Sequence, residues 1–170
     1  MANIQNIRGM DNPSRAYEWE VSIEAPSAVG NLEVLVERAQ NVSVPETSIE
    51  TIEIPYKSRT SYFAGRDSSG HTVDIEFFDD ESHQVYRYFK NWIESISSSR
   101  EGGGVTRDEY GAKMIIKQLS HNSTDTTITH ELTKVFPTSV GEISLDYSAS
   151  EHTTFTVTMS FEANLVQDAG

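Results

Sequence analysis

Alternation of apolar and polar positions with a period of two runs through most of this chain. From Tyr17 to Glu24, the residues Tyr17, Trp19, Val21 and Ile23 oppose Glu18, Glu20, Ser22 and Glu24, the pattern of a strand with one buried face. Leu32 to Ala39 sets Leu32, Val34 and Val36 against Glu33 and Glu37, and Ile49 to Tyr56 sets Ile52 and Ile54 against Thr51 and Glu53. His71 to Phe78 and Ala112 to Ser120 predict further strands, the second apolar on both faces around Lys113 and Lys117. In Thr126 to Phe136, Ile128 and Leu132 oppose Thr129, Glu131 and Thr133, and Pro137 is expected to end the strand. Glu142 to Tyr147 alternates Ile143, Leu145 and Tyr147 with Ser144 and Asp146. Thr153 to Glu162 alternates Phe155, Val157, Met159 and Phe161 with Thr154, Thr156, Thr158 and Ser160. Ala163 to Gly170 reads as a short tail, and Met1 to Arg15 as a polar arm that frays or orders against a partner.

One stretch departs from this pattern. Between Asp79 and Ser98, Val85, Phe89, Trp92, Ile93 and Ile96 form a single stripe at the helical period. Asp79, Asp80, Glu81 and Ser82 offer capping oxygens and negative charge at the end where free N–H groups point outward, and the serines and glycines from Ser97 to Gly104 stop the helix. Pro55 to Gly70 reads as a long loop or loose hairpin, with Lys57, Arg59 and Arg66 and no acid between Ile54 and Arg66. Ser97 to Gly111 reads as a loop. About eight strands, short turns, one helix and no βαβ alternation predict a mainly β, antiparallel sandwich or barrel with the helix covering one opening. With no internal repeat or boundary visible, residues 1–170 are expected to form one domain.

The 170 residues contain no Cys, which excludes disulfides and thiolate chemistry. No apolar run approaches the roughly 20 residues that span a bilayer, and Met1 to Asp11 lacks a signal-peptide core, so a cytoplasm-like site of synthesis and no membrane anchor are expected. The 26 acids against 13 bases leave a net charge of −13, which argues against wrapping nucleic acid but not against standing beside it: an acidic wall repels a polyanion. Against that background the cationic stretch Lys57–Arg66 reads either as a solvated loop or as a tongue that docks on an acidic surface of a neighbouring copy.

Reactive constellations are missing. The five histidines lie on separate elements, no H-E-x-x-H, G-x-S-x-G or P-loop occurs, and Asp79-Asp80-Glu81 is better placed to cap a helix than to bind a cation. No cofactor or metal is expected and no enzymatic role.

The most distinctive stretch is Phe136-Pro137-Thr138-Ser139-Val140-Gly141-Glu142-Ile143-Ser144-Leu145-Asp146-Tyr147. It resembles the aromatic-P-T-x-V-G-E-x-x-L-D-aromatic signature near the C-terminus of the tail tube proteins of contractile-tailed bacteriophages. Asn41 to Pro45, the basic loop ending Ala64-Gly65-Arg66, and Asp80-Glu81-Ser82-His83 opening a helix with Phe89 and Trp92 resemble further elements in the same order. The resemblance runs from about Tyr17 to Glu162. It implies a β-sandwich or barrel with one flanking helix, shared with secretion-system tubes. Six copies would form a ring, and rings would stack into a hollow tube inside a sheath, on a baseplate and below a terminator, built in the host cytoplasm and carried in the virion. The tube would pass phage DNA without binding it specifically.

By the same resemblance the lumen strands correspond to Leu32–Ala39, Ile49–Tyr56, Ala112–Ser120 and Thr126–Phe136. The polar faces then nominate Glu33, Glu37, Thr51, Glu53, Thr129, Glu131 and Thr133 as lining, with acidity giving slip rather than grip. Arg8, Arg15, Lys57, Arg59 and Arg66 are the expected subunit contacts. The alternatives are a tailocin or secretion-system tube, alike in fold and without genome cargo, and a monomeric β-sandwich binding module. The latter would expose a cluster of aromatics, whereas Tyr17, Trp19, Phe155 and Phe161 alternate toward the expected core.

Overall fold

Nine strands and three helices form among the residues that the computed structural model describes, namely 14–31, 33, 35–97, 105–121, 125–143, 145 and 152–168. In chain order they are β1 Trp19–Glu24, α1 Leu35–Arg38, β2 Ala39–Val42, β3 Ile49–Tyr56, β4 Arg59–Asp67, β5 Thr72–Phe78, α2 Gln84–Ser97, α3 Arg107–Tyr110, β6 Ala112–Leu119, β7 Thr126–Val140, β8 Thr154–Ser160 and β9 Ala163–Asp168. Seven strands make one antiparallel sheet in the order β1-β6-β7-β8-β5-β2, with β9 added to β7, while β3 and β4 pair only with each other.

The sheet divides into two leaves at β7. Its first part, Thr126 to Val135, pairs with β6, and Ile128 to Thr133 also pairs with β9; its end, Phe136 to Val140, pairs with β8. Two irregularities mark the passage. The register slips opposite Lys134, which adopts a left-handed backbone at φ 53°, and again between Pro137 and Ser139. Pro137 therefore does not end the strand as expected. It sits beside a bulge, where a residue without an N–H can be accommodated.

Both leaves and α2 bury one apolar cluster. Val21, Met114, Ile116 and Leu132 come from the first leaf, and Val73, Ile75, Phe77, Phe155, Val157 and Met159 from the second. Val85, Tyr88, Phe89 and Trp92 close it from α2, at i, i+3, i+4 and i+7. Tyr88 joins the stripe read from sequence, while Ile93 and Ile96 sit at its margin. A tyrosine is admitted because its hydroxyl donates to Gly30 O at 2.9 Å, and burial pushes that hydroxyl up to about 12. The Trp92 Nε1–H donates to Tyr110 O at 3.0 Å, tying α2 to α3.

The helix starts at Gln84 rather than Asp79 because the acidic run serves as its cap. The Asp79 carboxylate accepts from Tyr86 N at 3.0 Å and Val85 N at 3.4 Å. Arg38 bridges the same run, 3.0 Å from Asp79 Oδ1 and 2.5 Å from Asp80 Oδ2. The Arg38 guanidinium holds the Asp80 carboxyl far below the usual carboxylate range, helped by Ser82.

Several segments depart from the sequence reading, among them the expected loop Ser97 to Gly111, whose residues 107–110 form α3. Of the strand expected over Leu32 to Ala39, residues 35–38 form a helix and Ala39 opens β2, while 32 and 34 fall outside the described residues. Leu35, the position that the alternation skips, is the buried one, and it lies on the single helical turn α1 that delivers Arg38 to its acids. Of the two readings of Pro55 to Gly70, a long loop or a loose hairpin, the hairpin forms, with strand β4 paired to β3, and the expected tail is strand β9. Residues 142, 143 and 145 lie outside any strand, while 144, 146 and 147 of that predicted strand fall outside the described residues. Tyr17 precedes β1 and is exposed; its hydroxyl accepts from Arg15 Nη1 at 2.7 Å instead of entering the core.

Candidate functional site

The largest feature left without a partner is the β3–β4 hairpin. Tyr56 and Arg59 flank a two-residue turn in which Lys57 has φ 53°, the left-handed backbone that tight hairpin turns use. Pairing runs back from there to Ile49 and Asp67, with a bulge near the base. Gly65 lies at that bulge, where a Cβ would sit 2.9 Å from Glu50 O, so the close approach of the two strands requires glycine. Nearly every residue of the two strands is exposed.

Cross-strand pairing sorts the hairpin into two faces. Ile52 stands opposite Phe63 and Ile54 opposite Ser61, with Tyr56 and Arg59 completing this apolar face. Thr51 opposite Ala64 and Glu53 opposite Tyr62 make the other. Ile49, Ile52, Ile54, Tyr56, Tyr62 and Phe63 are all exposed large side chains. The sequence reading placed Ile52 and Ile54 on an apolar strand face and Tyr62 and Phe63 in a long loop or loose hairpin, without fixing a second strand. The usable signal was the run Thr60-Ser61-Tyr62-Phe63, whose β-forming residues directly follow another strand at turn spacing.

The outward face of the first leaf is the second surface. Its inward residues on β6 are Ala112, Met114 and Ile116, so Lys113, Ile115 and Lys117 point out. This separates the two faces that the sequence left unassigned. Register pairs Glu24 with Lys113, opposite the irregularity in β7. Ser22, Ile115, Glu131 and Leu165 form the next row, and Glu20, Lys117, Thr129 and Gln167 the one after. Glu131 lies 2.8 Å from Lys113 Nζ, and this hydrogen bond raises the Lys113 pKa.

The seven nominated lining residues therefore fall into three groups. Thr129, Glu131 and Thr133 share the outward face of β7, beside Lys113 and Lys117 of β6. Thr51 and Glu53 share one face of the hairpin. Glu33 lies in a turn and Glu37 on α1, both exposed and neither on the strand expected for them. Of the nominated contact residues, Arg8 lies outside the described residues. Arg15 is engaged within the subunit, 3.7 Å from Glu18. Lys57 lies 5.4 Å above the Tyr56 ring. Arg59 and Arg66 are exposed on the hairpin and have no ion pair among the described residues.

Among the described residues no three His, Asp or Glu side chains converge to hold a metal, and no helix is long and apolar enough to cross a membrane. What the surface offers is area for association: apolar side chains on a projecting hairpin, and sheet edges.

Comparison with known proteins agrees with this emphasis. Residues 14–167 match the family described as “Phage tail tube protein”. The chain is 28% identical over 124 residues to tail tube protein gp19 of Enterobacteria phage T4, covering 71% of this chain and 74% of that one. It is 24% identical over 170 residues to the tail tube protein of Serratia phage KSP90, covering 95% of each. In fold it is similar to a chain of the sheath/tube terminator, in the extended state, of the extracellular contractile injection system PVC. The TM-score there is 0.68 at 18% identity, over 94% of this chain and 99% of that one.

Proposed function

The chain belongs to the phage tail tube protein family, and on that premise we propose that it is the repeating subunit of the inner tail tube of a contractile phage tail, with six copies closing into a ring and rings stacking into a channel for genome passage. Its role is structural, not catalytic. The observation that supports the assembled state best is the β3–β4 hairpin. An isolated two-stranded hairpin is marginal in water, and six large apolar side chains on it are exposed in the single subunit. A second copy supplies the missing cover. Strand edges at β1, β2 and β9 that have no partner among the described residues suit the same end, since an unpaired edge is otherwise a route to uncontrolled association.

In this reading the tube lies in the virion tail, assembled in the host cytoplasm, with the sheath outside it and the baseplate and tail terminator at its ends. DNA passes without specific binding. The outward rows of the first leaf, with Thr129, Glu131 and Thr133, and the Thr51–Glu53 face of the hairpin line the bore. Glu33 and Glu37 add exposed negative charge from elsewhere on the subunit. Lys57, Arg59 and Arg66 carry the hairpin's attraction for a neighbour, and Arg8 and Arg15 lend the N-terminal arm the same sign. Because Glu131 is already paired with Lys113, the slip given to DNA rests on the unpaired acids, above all Glu53.

Negative-stain imaging of the purified protein is the direct test: six-fold rings or tubes are expected, and featureless monomers at every concentration and salt would overturn the proposal. Within tubes, Glu33→Lys, Glu37→Lys and Glu53→Lys together should stall genome ejection while tubes still form. Normal ejection would remove the lining from the mechanism.

A further inference from the structure

We propose that α3 is a clasp that sets the angle between the two leaves, and through that angle the fit of one copy to the next. The second half rests on the reading that copies assemble through the hairpin and the sheet edges; the clasp itself belongs to the single subunit.

Among the described residues β7 is the one strand that both leaves share, so a single run of backbone carries the hydrogen bonding from one leaf to the other. That run is irregular where it crosses. Lys134 is held left-handed at φ 53°, a conformation that a residue other than glycine keeps only where its surroundings hold it. The ladder slips opposite it and slips again between Pro137 and Ser139. The shared apolar cluster keeps the leaves together and leaves their angle to be set at this corner.

α3 spans the corner, and its four consecutive residues each hold a different place. Arg107 lies 3.2 Å from Glu162, between β8 and β9. Asp108 pairs with Lys134 at the slip itself. The Glu109 carbonyl accepts from Ala28 N at 3.2 Å, in the turn that leads toward α1. The Tyr110 ring meets Phe136 edge-on, with centroids 5.5 Å apart, and Phe136 is the first residue of β7 to pair with β8. Its carbonyl takes the Trp92 indole N–H, as described above.

A helix of one turn does not hold in water alone, and local contacts support this one. The Glu109 carboxylate accepts from Thr106 N at 2.8 Å and from Thr106 Oγ1 at 2.9 Å, and Gly111 N closes the turn onto Arg107 O at 2.9 Å. A Cβ on Gly111 would sit 2.8 Å from Arg107 O and 3.1 Å from Lys134 Cδ, so the exit toward the corner requires glycine.

The contacts of α3 differ in strength. The bond to Trp92 belongs to a buried indole, whereas both ion pairs are exposed, and exposed pairs are weak and screened by salt. α3 therefore stays on α2 while its grip on β7 and on the start of β9 can be released. Leaf angle matters because β1 and β9 present their edges from the first leaf, while the hairpin is carried between β2 and β5 of the second. A copy with its leaves at the wrong angle cannot offer both to its neighbours at once.

The chain has no cysteine, so Glu20→Cys and Thr156→Cys, exposed on the outward faces of the two leaves, place one spin label on each. Pulsed EPR on the free subunit should give one narrow distance distribution that broadens in Asp108→Ala. Asp108→Lys with Lys134→Asp should restore it, since aspartate accepts the left-handed backbone. Lys134→Gly should broaden the distribution without lowering the urea midpoint, because it removes the pair and the backbone strain together. A side chain that only held the fold together would move both readouts in step. Unchanged distributions in Asp108→Ala and Lys134→Gly, or no restoration by the swapped pair, overturn the clasp whatever the protein assembles into. In pelleting assays Asp108→Ala should raise the concentration needed for assembly about threefold, and the swapped pair should bring it back. Unchanged assembly by a subunit with a broadened distribution overturns the link from leaf angle to fit. Failure of the unmodified protein to form rings or tubes overturns the tube reading, and the distances alone then decide the clasp.

Discussion

Replacing Ile52, Ile54 and Phe63 together by threonine separates the contribution of the hairpin to assembly from its contribution to the subunit. The three side chains lie on one face, with Ile52 directly opposite Phe63, and are 52%, 51% and 55% exposed in the single copy. Threonine keeps the β-branched preference for strand, so the hairpin ladder is retained. Full burial of such a side chain is worth about 1.5–3 kcal/mol, and about half of that remains to be gained on association. Three of them then contribute about 2–4 kcal/mol per docked hairpin, or a factor of about 30 to 10³ in the concentration at which tubes appear. None belongs to the buried cluster that holds the subunit together. The cost to the fold should stay within about 0.5–1 kcal/mol, the scale of one cross-strand pair. Pelleting against protein concentration measures the first quantity, and urea unfolding followed by circular dichroism the second. Assembly at an unchanged concentration with an intact fold would refute the reasoning. A loss of several kcal/mol in the urea experiment would refute it differently, by showing that the hairpin packs within its own subunit.

Trp92→Ala should destabilise the subunit by about 4 kcal/mol or more, since it combines a large cavity with an unpaired Tyr110 carbonyl; Trp92→Phe, which loses mainly the hydrogen bond, should cost less in the same urea experiment. Asp79→Ala should cost about 1–2 kcal/mol for the lost cap of α2 and should also loosen Arg38, read as reduced helical signal and faster amide exchange at Val85 and Tyr86. Acid should unfold the protein through its paired carboxylates. Asp80 is lowered mainly by Arg38, Asp108 by Lys134, Glu109 by the Thr106 N–H and Asp67 by Ser69. A carboxyl lowered in the folded state stabilises it above the ordinary carboxylate range and loses that contribution as pH falls through the folded value. Stability should therefore be flat from neutrality to about pH 5 and decline below about pH 4, with a shallower decline in Asp80→Asn; an equal acid slope in that variant would exclude the Arg38 contact as a contributor.

Much of the fold was legible because both periodicities are local. The alternation of Phe155, Val157 and Met159 specifies a half-buried strand wherever that strand goes, and the stripe of Val85, Phe89 and Trp92 specifies a helix lying on something apolar. The misses share a cause. Leu32 to Ala39 alternates well, yet Arg38 has two acids to reach and Leu35 a core to enter, and both partners are distant in sequence. Ala163 to Asp168 looks like a tail because its strand character comes from the pairing offered by β7, not from its own composition. Pro137 looks like a stop because its tolerance depends on a bulge in the facing register.

The candidate site divides along the same line. Sequence alone determined a mainly β chain with one capped amphipathic helix, a net negative charge, no cysteine and a cationic stretch at Lys57–Arg66, since each of these is a property of neighbouring residues or of their total. Which apolar residues stay in water was decided only by the tertiary structure. Ile52 and Ile54 alternate as well as Val73 and Ile75 do, but β5 is flanked by two strands and covered by the core whereas β3, among the described residues, has one partner and no cover. Burial depends on what lies opposite, and for the hairpin nothing among the described residues does.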